Sequence, residues 1–148
     1  MSKNFKIQKP KYINDLESIN DYNEDILFSD RIKDRIVDGI EILQKDDMGI
    51  SIDSCVFKNT KFINCNLKNI DLTDTRFENC DLSNIDFSNS AIQRVEFVNC
   101  KLVGAKFDDS HFKDVVFKEC VGRYSNFSFG ELKNVEFNLC NFQEAVFQ

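Results

Sequence analysis

At 148 residues with a net charge of −6, the chain is long enough for one domain and an attached segment. Acids and bases are evenly mixed, 11 against 8 before residue 50 and 14 against 11 after it, so no block of charge points to a nucleic-acid or membrane partner. No apolar run nears the roughly 18 residues of a membrane span, and the polar N-terminus lacks the pattern of a signal peptide, which predicts a cytoplasmic protein.

Residues 1–29 hold the only proline, Pro10, and a polar, acidic run from Asn14 to Asp25. Phe5, Ile7, Tyr12, Ile13, Leu16 and Ile19 are scattered without a strong period. So short a segment cannot build its own core, and it reads as an arm lying on something else. Ile26–Leu43 admits two readings. Phe28, Ile32, Ile36 and Ile40 are spaced by four, as on an amphipathic helix capped by Ser29 or Asp30. Alternatively, Ile42 lies ten residues before Ile52 and falls in the register of the repeat that follows. Ile36–Ile42 is then a strand entering that repeat, with Gln44–Gly49 an irregular side. The second reading is preferred, because Gly39 is poor inside a helix. The expected division is residues 1–35 as arm or cap and 36–148 as the repeat.

From about Ile50 onward a large apolar residue stands at every fifth position, from Ile52, Phe57 and Phe62 through to Phe137, Phe142 and Phe147, and only Gly122 breaks the series. A step of five turns a helix by roughly 140°, scattering the Phe rings over every side. In a plain strand it sends successive rings to opposite faces. Two residues before each large one sits a small or β-branched residue, among them Cys55, Thr60, Cys65, Ile70, Thr75 and Cys80. Those two can share a face only if the chain turns a corner before the next pair. Asn or Asp occupies many of those corners (Asn59, Asn64, Asn69, Asp74, Asn79, Asn84, Asn89, Asn99, Asp109, Asp114, Asn134), and both tolerate turn geometry. A longer echo at twenty residues links Phe57, Phe77, Phe97, Phe117 and Phe137, and Cys80, Cys100, Cys120 and Cys140. Like residues stack in neighbouring turns of a solenoid, so the chain is expected to wind about five four-sided turns from Ile50. Gly122 is expected to leave a small void or a local bulge.

The segments CDLSN at Cys80–Asn84, CNLKN at Cys65–Asn69 and IDLTD at Ile70–Asp74 resemble the pentapeptide repeat family, over about twenty consecutive units. The resemblance implies an all-β, right-handed quadrilateral β-helix, here with an N-terminal capping segment. It implies no catalytic residue, because the family shares none.

All six cysteines occupy the small inward position, where a free thiol packs as a small apolar group. They are expected to be buried, reduced and metal-free, since no His joins them to complete a zinc set. His111, the only histidine, is expected on an outward position. No nucleophile–base set, paired-carboxylate pocket or phosphate loop is recognisable. No enzyme activity and no cofactor are therefore expected.

The function expected is that of a non-enzymatic solenoid binding a protein partner. Outward apolar residues Val98, Val103, Val116, Val121, Tyr124 and Leu139 are candidates for its contact surface. The chain stops one residue short of a full turn, which reads as truncation of a longer chain. The last turn then exposes Leu132, Phe137, Phe142 and Phe147, a candidate self-association end predicting a weak homodimer. A narrower reading comes from a distant resemblance to Qnr-type quinolone-resistance proteins. It implies a DNA mimic that binds DNA gyrase or another type II topoisomerase. That mechanism needs a strongly negative surface, whereas Lys58, Lys61, Lys68, Lys101, Lys106, Lys113 and Lys118 interrupt the acids here.

Overall fold

Every fifth residue from Asp34 to Glu144 has a positive φ, between 49° and 73°. These residues are the corners. Asn and Asp fill twelve of the twenty non-glycine corners, which suits side chains that enter the left-handed region at low cost. Between corners, each three-residue straight piece points its large centre residue inward. In the computed structural model, which describes residues 6–19 and 21–148, the result is a right-handed β-solenoid of about six parallel turns.

The strands are β1 (Glu17–Ile19), β2 (Arg31–Lys33), β3 (Arg35–Asp38), β4 (Glu41–Leu43), β5 (Ser51–Asp53), β6 (Val56–Lys58), β7 (Lys61–Ile63), β8 (Asp71–Glu78), β9 (Ala91–Val98), β10 (His111–Lys118) and β11 (Glu131–Asn138). Within the solenoid each pairs in parallel with the strand twenty residues on, as Ile32↔Ile52, Ile52↔Leu72, Leu72↔Ile92, Ile92↔Phe112 and Phe112↔Leu132 show. That column defines side 1, and the Phe57 column defines side 2. Sides 3 and 4, centred on Phe62 and Leu67, are held by the β4–β7 pair at the start of side 3 and otherwise by single bridges such as Lys61↔Asp81 and Asn66↔Asp86.

Like residues stack because the register is exact to the residue. Phe57, Phe77, Phe97, Phe117 and Phe137 lie ring on ring, with centroids 4.8–5.1 Å apart and planes within 10°. The small inward residues carry a second order. The thiol of Cys80 donates to the carbonyl of Phe57 (3.3 Å), as the hydroxyl of Ser110 does to Phe87 (2.9 Å) and that of Thr60 to Val37 (3.4 Å). This common contact explains why Cys, Ser and Thr alternate at one position: each is small, and each brings a donor for the turn before it.

Four expectations are refined. The solenoid has about six turns rather than five, because residues 30–49 form a turn of their own. Gln44–Gly49 continues in register, with Asp46 bridged to Asn66 and the Gly49 N–H bound to the Lys68 carbonyl. The helical reading of Ile26–Leu43 survives only as one turn, α1 (Glu24–Leu27), capped by the Asn23 side chain accepting from the Ile26 N–H. Gly122 leaves no void. A Cβ there would meet the ring of Phe142, from the next turn, which occupies the space.

Candidate interaction surface

Most outward positions of the four sides are polar, apart from the candidates below and Met48, Phe129 and Val146 on side 4 or its corner, and several charges pair along the rod. Asp74 accepts two hydrogen bonds from Arg94, at 2.6 and 3.0 Å. Arg76 lies 3.6 Å from Glu96, and Arg123 lies 3.6 Å from Glu144. Interleaved signs leave no continuous negative stripe on these columns.

Against this polar ground, the apolar candidates separate. Val103, Val121 and Tyr124 lie on side 3 or its far corner, and Leu139 on the corner between sides 2 and 3. Val98 is on side 2, next to that corner. Val121, Tyr124 and Leu139 are 40%, 55% and 77% exposed. Val116 does not join them; it sits on side 2 beside residues Lys6–Lys9 of the N-terminal arm. Leu43 and Ile63, both exposed, extend the patch toward the first turns of side 3, in the column of Val103. Leu43 was open to sequence reading, since it follows the centre residue Ile42 as Ile63 follows Phe62. Beside the patch, along the corner of sides 2 and 3, runs a groove of about 450 Å³. Its floor is a ladder of amides in which Asn99 donates to Asn79 and Asn79 to Asn59. Lys61, Asp81, Lys101 and Val121 form one wall.

The last turn exposes Leu132, Phe137 and Phe147, with Phe142 half-buried among them.

The cysteines contribute packing. Cys55, Cys65, Cys80, Cys100 and Cys120 are buried and Cys140 half-buried, all as free thiols. Burial pushes the Cys55 thiol up to about 12 and raises that of Cys65. Cys100 is also raised, by the neighbouring thiols of Cys120 and Cys80 and then by burial. A thiol so raised is a poor nucleophile, whereas those of Cys80 and Cys120 are lowered, chiefly by hydrogen bonding with Cys100. Among the described residues, no group of three or more His, Cys, Asp or Glu is placed to hold a metal ion. His111 is exposed, with its Nδ1 3.0 Å from Glu131 Oε2.

A small inward residue, a large centre residue and a left-handed corner, repeated in every straight piece, agree with the profile described as pentapeptide repeat region, which matches residues 70–147. The chain belongs to the pentapeptide repeat family. A second profile, described as SV2A/B/C luminal domain, matches residues 17–107. No curated protein matches the chain in sequence. Among solved structures, a trypsin-treated form of QnrB1, a plasmid-mediated fluoroquinolone resistance protein, is 18% identical, with a TM-score of 0.49 over 80% of this chain and 66% of that one. The chain thus spans just under two thirds of that relative's length. A second trypsin-treated form is 19% identical, with a TM-score of 0.44 over 88% of this chain and 70% of that one. A pentapeptide repeat protein from the Arabidopsis thaliana thylakoid lumen is 16% identical, with a TM-score of 0.41 over 71% and 70% of the two chains. No described helix is long and apolar enough to cross a membrane.

Proposed function

We propose that this pentapeptide-repeat rod is a non-enzymatic docking module that binds a protein partner along side 3. The observation that carries this is the gathering of Leu43, Ile63, Val103, Val121 and Tyr124 along side 3 and its far corner, a larger group than the exposed Met48, Phe129 and Val146 of side 4 and its corner. A rigid, register-locked strip of apolar residues presents contact area at little entropic cost. The six free cysteines suit a reducing compartment such as the cytoplasm. The test is capture of a partner by the immobilised chain and by Ile63→Lys/Tyr124→Lys. Loss of the same partner on the side-3 variant, with retention by Lys106→Glu on side 4, is the expected result. Equal capture by all three sinks it.

Two narrower readings belong with it. Protection of a type II topoisomerase is the partner suggested by the Qnr resemblance; the interleaved cations of the rod weigh against it. A gyrase supercoiling assay decides, because a protector restores supercoiling in the presence of a quinolone and a bystander does not. The second partner is another copy of the chain. Leu132, Phe137, Phe142 and Phe147 offer an apolar end whose outer backbone edge is open to pairing. A 148-residue protein is expected to dimerise weakly there. Sedimentation over a range of concentrations, with Phe147→Lys as the disrupted control, reads this directly; a strict monomer throughout rejects it.

A further inference from the structure

The N-terminal arm is bound to the rod in a way no other described segment is. Residues 6–14 lie along the corner between sides 1 and 2, running against the direction in which the turns advance. The contacts are largely main-chain. The Gln8 N–H donates to Asp114 Oδ1 (3.4 Å), the Lys11 N–H donates to Asp74 Oδ1 (3.0 Å), and the Lys6 carbonyl accepts from the Asn134 amide (3.5 Å). At the far end, the Asn14 amide donates to Asp34 (3.2 Å). Asp34, Asp74, Asp114 and Asn134 all stand at one corner column of the solenoid.

The spacing has a physical basis. Three residues of extended chain advance about 10 Å, and two turns at the inter-strand spacing advance about 9.6 Å. Donors three residues apart therefore meet carboxylates two turns apart. Pro10, between them, fixes its own backbone for extension and gives up no needed donor. The rod thus reads an extended main chain by its pitch, as sheet edges and peptide grooves do.

The fit is incomplete. Open space of about 430 Å³ flanks the arm on side 2, walled by Glu96, Val116 and Glu136. Another space of about 530 Å³ flanks it on side 1, walled by Lys113, Leu132 and Lys133. None of Lys6, Lys9 and Lys11 forms an ion pair with a described carboxylate. The furrow is wider than its occupant, and of the occupant's lysines only Lys11 acts on a furrow carboxylate, helping to hold Asp74 below its usual range.

We propose that this furrow is a docking site for an extended, lysine-bearing segment of a partner protein, and that residues 6–14 are its resident occupant, displaced when the partner binds. The resident segment defines the ligand class: extended, with main-chain donors three residues apart around a proline. The proposal rests on the reading of the rod as a protein-binding module. It uses a different corner from side 3, so failure of one surface leaves the other measurable.

The probe is a fluorescent synthetic peptide with the sequence of residues 6–14, read by anisotropy. It is added to the full chain and to the full chain carrying Gln8→Pro and Lys11→Pro, which removes both N–H donors without touching the solenoid. The tethered arm competes at an effective concentration in the millimolar range, so the double variant is expected to bind the peptide at least about tenfold tighter than the wild type. Adding Asp114→Ala to that variant is expected to weaken the peptide by about tenfold, the loss of one hydrogen bond to a charged group. Equal binding to the wild type and the double variant, or none to either, overturns the proposal. Hydrogen exchange on the wild-type chain is an independent check. The Gln8 and Lys11 amides are expected to exchange at least about a hundredfold faster than those of β8–β10, as a locally opening segment does. Protection equal to that of the strands makes the arm a fixed part of the fold and also overturns it.

Discussion

The two ends of the rod are built from the same repeat and finish differently. At the N-terminal end, α1 places Leu27, fully buried, against the first turn, and β1 pairs in parallel with β3. Where later turns have a small residue and a large apolar one, this turn has Lys45 and Asp47. The Lys45 side chain is only 1% exposed and lies 2.8 Å from the Asp47 carboxylate. Its ammonium group sits 5.3 Å from the centre of the Phe28 ring, a cation–π distance, and donates to the Ser29 carbonyl at 3.4 Å. At the other end, Leu132, Phe137 and Phe147 present a bare aromatic layer. The difference teaches what stops a repeat. A stack of like residues is a template for one more like layer. Replacing the inward pair by a lysine and an aspartate, and laying a helical turn over them, removes the template at the N-terminal end.

If this comparison is right, truncations should be severe at the closed end and in the middle but mild at the open one. Phe97→Ala, in the centre of the stacked column, is expected to cost about 3–5 kcal/mol, and Leu27→Ala about 2–5 kcal/mol. Phe147→Ala, at a half-exposed ring, should cost roughly 1 kcal/mol. Denaturation midpoints of the three variants measure the contrast, and a Leu27→Ala as mild as Phe147→Ala would mean the N-terminal end is not closed.

The charged plug sharpens the same contrast. Lys45→Met keeps the volume but leaves Asp47 without its ammonium partner, an expected loss of about 1–3 kcal/mol. Adding Asp47→Leu restores an apolar pair of the kind the other turns use. Most of the loss should then return, since an apolar replacement of an ion pair with a buried member is often neutral. Failure of the double variant to recover would assign Lys45 a role beyond plugging the end.

How much of this was legible depended on whether a residue obeyed the period. The Phe column, the Asn corners and the inward cysteines all follow from spacing alone, because a solenoid makes each residue's environment a function of its place in the repeat. The first turn was harder to read. Lys45 and Asp47 hide a regular turn behind irregular letters, and their pairing depends on Phe28 and Ser29, contributed from outside the repeat. The space left by Gly122 is filled by Phe142, twenty residues on, and a sequence shows the missing side chain but not which neighbour leans in. The outward apolar residues could be assigned to sides, yet Val116 lies beside the arm, and an arm without a period gives no clue to the corner it follows.

The arm links the two ends, and acid should loosen it. Burial alone would raise the Asp74 carboxyl, but hydrogen bonds from Arg94 and from the Lys11 N–H outweigh it and hold the group below its usual range. A carboxyl lowered in the folded state stabilises at neutral pH, keeps that contribution down to about pH 4, and loses it as pH falls further through the lowered value. Stability should therefore decline below about pH 4, with a shallower decline in Asp74→Asn. Identical acid profiles for the two chains would show that the arm's anchor on this turn carries no stability.

The smallest expected effect is a gain, and it lies at the open end. Leu139 stands at a corner with φ of 54°, fully in the left-handed region, yet its side chain is 77% exposed and packs on little. A leucine there bears the clash of its Cβ with the backbone and gets no burial in return. Asn59, Asn79 and Asn99 occupy the same corner in earlier turns, where their amides hydrogen-bond one to the next. Leu139→Asn should relieve part of the strain and stabilise the last turn by up to about 1 kcal/mol. The ladder itself does not extend to it, because Glu119 intervenes. The same change at Phe137, open to solvent on its outer side but stacked on Phe117 at 4.8 Å, would instead remove a stacked ring. A rise in the denaturation midpoint for Leu139→Asn, set beside a fall for Phe137→Asn, separates corner strain from core packing within one turn. A fall for both would mean that Leu139 is held by contacts the open end does not show, and that the end is less bare than its exposure implies.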